Sequence, residues 1–212
     1  MDTVRQAYLE AAGYALGLLR DPAVAAGWDD PSALAELTVG ALAGHLSRQV
    51  FTVQQQLADP AGDGDVIPLL THYARSTWVD AGLNDEPSVR MRRLSEGESA
   101  DGPQGLARRT AAAIDELQAR LPAEPADRTV FLPWGPWSLT LDDLLRTKML
   151  EIVVHGDDLA VSLGLRDVQP PPAAADIAIE QLTRLALRKH GTAALVRALS
   201  RAERAPATIA AF

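Results

Sequence analysis

The chain has 212 residues, a formal net charge of −8 and a sequence pI near 5.0, and 47% of its residues are hydrophobic. The hydrophobic content excludes a disordered chain, and no apolar run approaches the roughly 20 residues of a membrane span. The acidic balance argues against a nucleic-acid partner, because binding to phosphates needs a basic face. The absence of cysteine excludes disulfides, thiolate metal ligands and a cysteine nucleophile.

The first half of the chain predicts two long helices. An apolar stripe with helical spacing covers residues 3–20, and the N-terminus lacks the basic start of a signal peptide, so we expect a cytoplasmic protein. The second helix runs from an N-cap at Thr38 to Leu57. Gly40 and Gly44 in this helix predict the close approach of another helix.

The middle of the chain predicts shorter elements. Val66–Ala81 has the spacing of a third helix, and His72 within it is interpreted as a surface residue or as a support for a ligand. Residues 82–103 are rich in Gly, Pro, Asp, Glu and Ser and predict a long loop. A further helix follows over Pro103–Leu121. It leads to a hairpin with strands Thr129–Leu132 and Trp137–Leu139.

The helix from Thr140 to Gly164 has the clearest boundaries. Thr140 is placed to accept a hydrogen bond from the backbone N–H of Asp143, and Leu139 and Leu144 form a hydrophobic staple around this cap. Gly164 provides the stop. The sequence therefore predicts an all-α bundle with extra short helices and at most a small hairpin.

The end of the chain predicts an extension of this bundle. After an extended connector, helical patterns cover residues 173–189 and 192–200. We expect residues 1–165 to form the bundle, and residues 166–212 to form a C-terminal helical extension packed on the same domain.

Glu151 and His155 lie in the middle of the apolar part of the helix that starts at Thr140. They are four residues apart and so share one face, which apolar residues flank on both sides. Burying a carboxylate and an imidazole is costly unless a partner satisfies them. A divalent metal is one such partner; a buried arginine or a hydrogen-bond network in a purely structural His–Glu pair is the other.

His45 is the third candidate ligand. It lies on the second predicted helix, in a polar stripe that borders apolar residues, where a lone histidine is usually part of the core. If the bundle places His45 opposite Glu151 and His155, two nitrogen ligands and one oxygen ligand meet and at least one metal position stays open. That arrangement is typical of catalytic zinc.

Four stretches carry a family resemblance. They are Trp28 with Pro31-Ser32, LTVGALAGHL at 37–46, WGPW at 134–137 and MLEIVVHGDDLAVSLG at 149–164. With these stretches the chain resembles the mycothiol-dependent maleylpyruvate isomerase family, part of the DinB-like superfamily of metal-binding four-helix bundles. The resemblance implies a DinB-like bundle with a metal on His45, Glu151 and His155. Spacing places Asp158 one turn after His155, where it is able to orient that ligand.

The resemblance also implies a chemistry. The metal, zinc with nickel as an alternative, activates mycothiol or another low-molecular-weight thiol for attack on a small electrophile. Gln49, Thr52, Trp78 and Thr147 are the candidate walls of the pocket. The family's isomerase members carry a further C-terminal domain with an arginine important for isomerisation. No residue after Pro172 matches that arginine. We therefore expect either an S-transferase or an isomerase.

Two other functions remain open at this point. One is a non-catalytic helical binding module, which acts through a ligand pocket or a dimer interface. The other is a metal-dependent hydrolase that uses activated water. The presence of all three ligand types favours the thiol-dependent enzyme. We also expect the protein to be a monomer or a homodimer and to have no membrane partner.

Overall fold

The computed structural model describes residues 3–59, 64–79 and 81–212, and this part of the chain contains eight α-helices and one two-stranded hairpin. The prediction of an all-α fold with a small hairpin is confirmed. The helices are α1 Thr3–Leu19, α2 Pro22–Ala26, α3 Val39–Ala58, α4 Leu69–Arg75, α5 Glu86–Glu98, α6 Gly102–Arg120, α7 Leu141–Ser162 and α8 Pro172–Ser200. The antiparallel strands are β1 Thr129–Leu132 and β2 Trp137–Thr140.

The two helices with candidate ligands, α3 and α7, begin at the predicted caps. The Thr38 and Thr140 side chains each accept a hydrogen bond of 3.1 Å from the backbone N–H three residues further on. Gly164 follows the end of α7 with a φ of +64°, a conformation that glycine adopts without a steric penalty. Gly191, with a φ of +80°, interrupts α8 between the two predicted C-terminal helices.

The core of the fold lies between α1, α3, α6 and α7, which pack against one another as a four-helix bundle. Large buried side chains from all four helices fill it, among them Tyr8, Leu46, Leu117 and Leu145. Two further helices pack outside this core, α5 on α3 and α8 on α7. None of the described helices is both long and apolar enough to cross a membrane.

The predicted loop over residues 82–103 is wrong, because most of it forms α5. The helix starts after Asp85 with Pro87 in its first turn, a common start signal, but it carries few apolar residues. It packs instead by close backbone approach, since a Cβ added to Gly44 would collide with the carbonyl oxygen of Ser95. The expected helix contact at Gly44 is thus confirmed, whereas Gly40 makes room for the Trp28 ring.

The predicted third helix is too long at both ends. Before α4 the chain is extended, since the Ile67 N–H donates to the Ser138 carbonyl and Pro68 then occupies the N-cap. After α4, Ser76 has extended backbone angles and residues 77–79 form a turn; residue 80 lies outside the described residues. His72, within α4, is 5% exposed, so its interpretation as a surface residue is wrong.

Candidate metal centre

Three side chains from two helices converge inside the bundle. His45 projects from the middle of α3, and Glu151 and His155 project from successive turns of α7. The Nε2 atoms of both histidines lie 3.3 Å from Oε2 of Glu151, and the two rings meet edge to face with centroids 4.5 Å apart. All three ligand atoms lie within 4.8 Å of one another. The fold therefore brings the three predicted metal ligands together.

Asp158 fixes the orientation of His155. Its Oδ2 lies 2.9 Å from Nδ1 of His155, one turn away on α7. A carboxylate accepts, so the proton of the neutral imidazole belongs on Nδ1 and the lone pair on Nε2. When His155 is neutral, that lone pair faces Glu151. The role predicted for Asp158 from its spacing thus has the expected contact.

Ser95 on α5 holds the other histidine. Its Oγ donates to the carbonyl oxygen of Met91 at 2.8 Å and lies 3.3 Å from Nδ1 of His45. Because the hydroxyl proton is used by Met91, the Ser95 oxygen is free to accept from Nδ1–H. His45 then also presents an Nε2 lone pair toward Glu151. The partner of its Nδ1 is a serine hydroxyl, whereas the partner of Nδ1 in His155 is a carboxylate.

The charges of the trio are strongly coupled. Burial opposes the charged form of His155, but the hydrogen bonds with Asp158 and Glu151 outweigh it and raise the pKa of His155 to about 9. Burial would likewise raise the pKa of Glu151, yet the two histidines hold it well below the usual range. Burial lowers the pKa of His45. Without a metal, the trio thus contains a His155–Glu151 ion pair beside a neutral His45.

The donor set fits a divalent transition metal. Two imidazole nitrogens and one carboxylate oxygen are ligands that zinc and nickel accept, and three protein ligands leave room for a further one. Each imidazole nitrogen that faces away from the centre contacts an oxygen atom of the protein, as in established metal sites. The 3.3 Å separations are also longer than the roughly 2.7–2.9 Å of a tight charge-assisted hydrogen bond. The three side chains are therefore not tied to one another by tight hydrogen bonds.

Two of the predicted pocket walls lie next to the ligands. Gln49 is buried one turn after His45, where its Nε2 donates to the His45 carbonyl at 3.0 Å and lies 3.5 Å from His45 Nε2. Thr147 is buried one turn before Glu151, and its hydroxyl donates to the carbonyl of Leu144 at 2.7 Å. The Thr147 hydroxyl proton is therefore used by its own helix.

The other two predicted wall residues lie further away. Thr52 is partly buried on α3, seven residues and about two turns after His45. Trp78 follows α4 and is 37% exposed; its ring packs against Tyr73 and Phe212, with centroids 6.0 and 5.6 Å apart. The assignment of these residues to a binding pocket stays a prediction.

Sequence reasoning missed Lys148 as well as Ser95. Lys148 lies two turns before His155 on α7, and its Nζ donates to Oε1 of Gln49 at 3.3 Å. Helical spacing alone places Lys148 on the ligand face, so the signal was present in the sequence. Ser95 carried no comparable signal, because its segment lacks a clear apolar stripe.

His72 also has a partner that the sequence did not indicate. The indole Nε1 of Trp137, from β2, donates to Nδ1 of His72 at 3.1 Å. Burial and the charge of Lys148 lower the pKa of His72 to about 4. His72 is therefore neutral near pH 7, with its proton on Nε2.

The candidate metal centre lies in a part of the chain that matches a known protein family. Residues 9–160 match the family described as mycothiol maleylpyruvate isomerase N-terminal domain, which is more than two thirds of the chain. The chain belongs to this family. All three candidate ligands of this mycothiol maleylpyruvate isomerase-type domain, together with Ser95 and Asp158, lie inside the matched range, whereas α8 follows it. No curated protein and no solved structure gives a significant match.

Proposed function

We propose that this chain is a metal-dependent S-transferase or isomerase that uses mycothiol or a similar small thiol to attack a small electrophile. Zinc is the metal that we favour, with nickel as an alternative, and His45, Glu151 and His155 are its proposed ligands. The observation that carries the proposal is the convergence of two imidazole Nε2 atoms and one carboxylate oxygen within 4.8 Å. The family match supports mycothiol as the thiol.

The chain's own residues prepare this site. Asp158 is placed to keep one proton of His155 on Nδ1, and Ser95 is placed to do the same for His45, so that both Nε2 lone pairs point at one position once His155 is neutral. Glu151 adds the negative charge that favours a cation there. A divalent metal in this position would supply a Lewis acid that lowers the pKa of a coordinated thiol.

The composition fits a borrowed nucleophile. Because the chain has no cysteine, a reactive sulfur has to come from a cosubstrate. We propose that residues 1–165 are the catalytic bundle and that residues 166–212 extend the same domain. Support comes from α8, whose Ala178 and Leu185 share a buried cluster with Leu150 of α7, next to Glu151.

The first test is the metal content of the purified, untagged protein by elemental analysis. We expect about one zinc or nickel per chain, lost in His155→Ala and equally in His45→Ala and Glu151→Ala. His190→Ala is the matched control, because His190 lies on α8 and contacts the Ala210 carbonyl instead. No metal in the wild type, even after reconstitution, would contradict the proposal and favour a binding module.

The second test is turnover of electrophiles with and without mycothiol. Product formation that needs both the metal and the thiol is the expected result. Turnover that continues without the thiol would point to activated water and a hydrolase instead.

A further inference from the structure

Helix α8 exposes apolar side chains on the face that points away from the bundle. Its inner face packs on α7 through Ala178, Gln181 and Leu185, which are all buried. Its outer face carries four of the twelve exposed large hydrophobic side chains among the described residues, more than any other helix. Each of the four has between 39% and 72% of its surface exposed; they are Ile179, Leu187, Val196 and Leu199.

The first part of α8, residues 172–190, has a regular outer stripe. Ile179 and Leu187 lie four residues before and after Thr183, so helical geometry places all three on one face. Thr183 is exposed as well, and the stripe ends where Gly191 interrupts the helix. The apolar positions are therefore symmetric about Thr183. A two-fold contact between two copies of one helix has the same symmetry, because residue i of each copy meets residue j of the other.

The charges of the same segment are divided between its two halves. The acidic residues all precede Thr183 and the basic residues all follow it. In an antiparallel pair, the acidic half of each copy lies opposite the basic half of the other, whereas a parallel pair would bring like charges together. The charged side chains are all exposed and are, in chain order, Asp176, Glu180, Arg184, Arg188 and Lys189.

The part of α8 beyond Gly191 lacks this complementarity. Residues 192–202 also expose apolar side chains, but their only charged residues are Arg197 and Arg201. Two copies of this part would repel each other. The charge pattern thus selects residues 172–190 as the contact surface and a second copy of the chain as the partner.

We propose that the outer face of residues 172–190 is the interface of a symmetric, antiparallel homodimer with its two-fold axis at Thr183. Ile179 packs against the partner's Leu187, and Leu187 packs against the partner's Ile179. Of the monomer and the homodimer that the sequence leaves open, this selects the homodimer. The interface lies outside the range that matches the family, and it needs neither the metal nor the thiol.

An ion-pair network flanks the apolar contact. Within each helix, Arg184 donates to Glu180 at 2.9 Å, one turn away. In the antiparallel pair, Arg184 also approaches the partner's Glu180, so two exposed pairs join into one network of four charges. The contact is nevertheless small, since residues 172–190 are only about 28 Å long at 1.5 Å per residue. We therefore expect a dimer with a Kd in the micromolar range.

Sedimentation equilibrium of the full, untagged chain measures the association from about 1 μM to about 1 mM. The buffer contains about 0.15 M salt, which screens the net charge of −8 on each copy more than it weakens close ion pairs. We expect a monomer–dimer equilibrium. Leu187→Glu should raise the Kd more than about 100-fold, because each dimer loses two apolar contacts and buries two carboxylates.

Leu199→Glu is the matched control, because it adds the same charge at a still more exposed leucine of α8, beyond Gly191. It should leave the Kd within about threefold of the wild-type value. Both leucines are exposed, so we expect both variants to fold. A wild-type chain that stays monomeric at about 1 mM would overturn the proposal. An equal loss of association in both variants would overturn it too.

Charge reversal tests the antiparallel arrangement. Asp176→Arg with Glu180→Arg makes the segment wholly basic, and replacing the three basic residues with glutamate makes it wholly acidic. Each variant alone should be monomeric, whereas an equimolar mixture should form a heterodimer, because opposite charges then meet along the whole contact. Self-association of either variant at wild-type strength would show that these charges do not face each other, and the proposal would fail.

Disulfide crosslinking tests the position of the two-fold axis. The chain has no cysteine, so Thr183→Cys introduces its only thiol. Under mild oxidation with diamide, we expect this variant to form a disulfide-linked dimer, since the axis brings the two copies of this position together. Ser200→Cys, exposed at the end of α8, should crosslink much more slowly. Equal rates would indicate random collisions and would overturn the proposed axis.

Discussion

Ser95 Oγ lies 3.3 Å from Nδ1 of His45, so a helix outside the four-helix core contacts a candidate metal ligand inside it. This contact predicts that Ser95→Ala weakens zinc binding about 10- to 100-fold, because His45 loses the partner that sets its tautomer. Zinc affinity is measured by competition with a chelator. Ser99→Ala is the control, since the Ser99 hydroxyl donates to the carbonyl of Glu96. Equal affinities in the two variants would exclude a role for Ser95.

Asp158→Asn tests the partner of the second histidine. An amide oxygen still accepts from Nδ1–H of His155, but it lacks the negative charge, so we expect zinc affinity to fall by about 10-fold and at most 100-fold. Asp157→Asn removes a charge from the neighbouring, exposed position and should have a much smaller effect. If both variants bind zinc as tightly as the wild type, Asp158 is an ordinary surface charge.

Some contacts of the candidate site can be predicted from the sequence, and others cannot. The His155–Asp158 contact joins residues three apart on one helix, and the Thr38 and Thr140 caps join residues three apart as well. Helical geometry dictates such contacts, and spacing was enough to predict them. His45 and Glu151 are 106 residues apart in the chain. Residue spacing alone therefore predicts their contact only as one alternative among several. The family resemblance selected it.

The contacts that escaped prediction are also non-local. Ser95 and His45 are 50 residues apart, and Lys148 and Gln49 are 99 apart, so each contact depends on how helices pack. The sequence of α5 predicts a loop, because the close approach of its backbone to Gly44 replaces the apolar stripe that a packed helix normally shows. Without a predicted helix around it, Ser95 has no predicted position relative to His45.

The contact between α3 and α5 is itself testable. In Gly44→Ala the new methyl group would collide with the carbonyl oxygen of Ser95, so α5 has to move outward. We expect the free energy of unfolding to fall by about 1–3 kcal/mol, measured by urea denaturation, and zinc affinity to fall with it. Gly13→Ala in α1 is the control, because its Cβ would meet open space; it should raise stability by up to about 1 kcal/mol. A stable Gly44→Ala would contradict the tight packing.

Metal binding should release one proton over a defined pH range. Because hydrogen bonds with Asp158 and Glu151 raise the pKa of His155 to about 9, His155 is protonated at pH 7 in the metal-free protein. A metal ligand has to be deprotonated, whereas His45 is already neutral because burial lowers its pKa. Zinc affinity should therefore rise about tenfold per pH unit from pH 7 to about 8.5, and level off above about pH 9.

Calorimetry in buffers of different ionisation enthalpy measures this proton directly. We expect about one proton released per zinc at pH 7.5, with the number falling toward zero above the pKa of His155. In Asp158→Asn the pKa of His155 should be lower, since one of the carboxylates that raises it is gone. That variant should release fewer protons at pH 7.5, even though it binds zinc less tightly. Release that is near zero in the wild type would show that His155 does not hold the proton, and that the His155–Glu151 ion pair is absent before the metal binds.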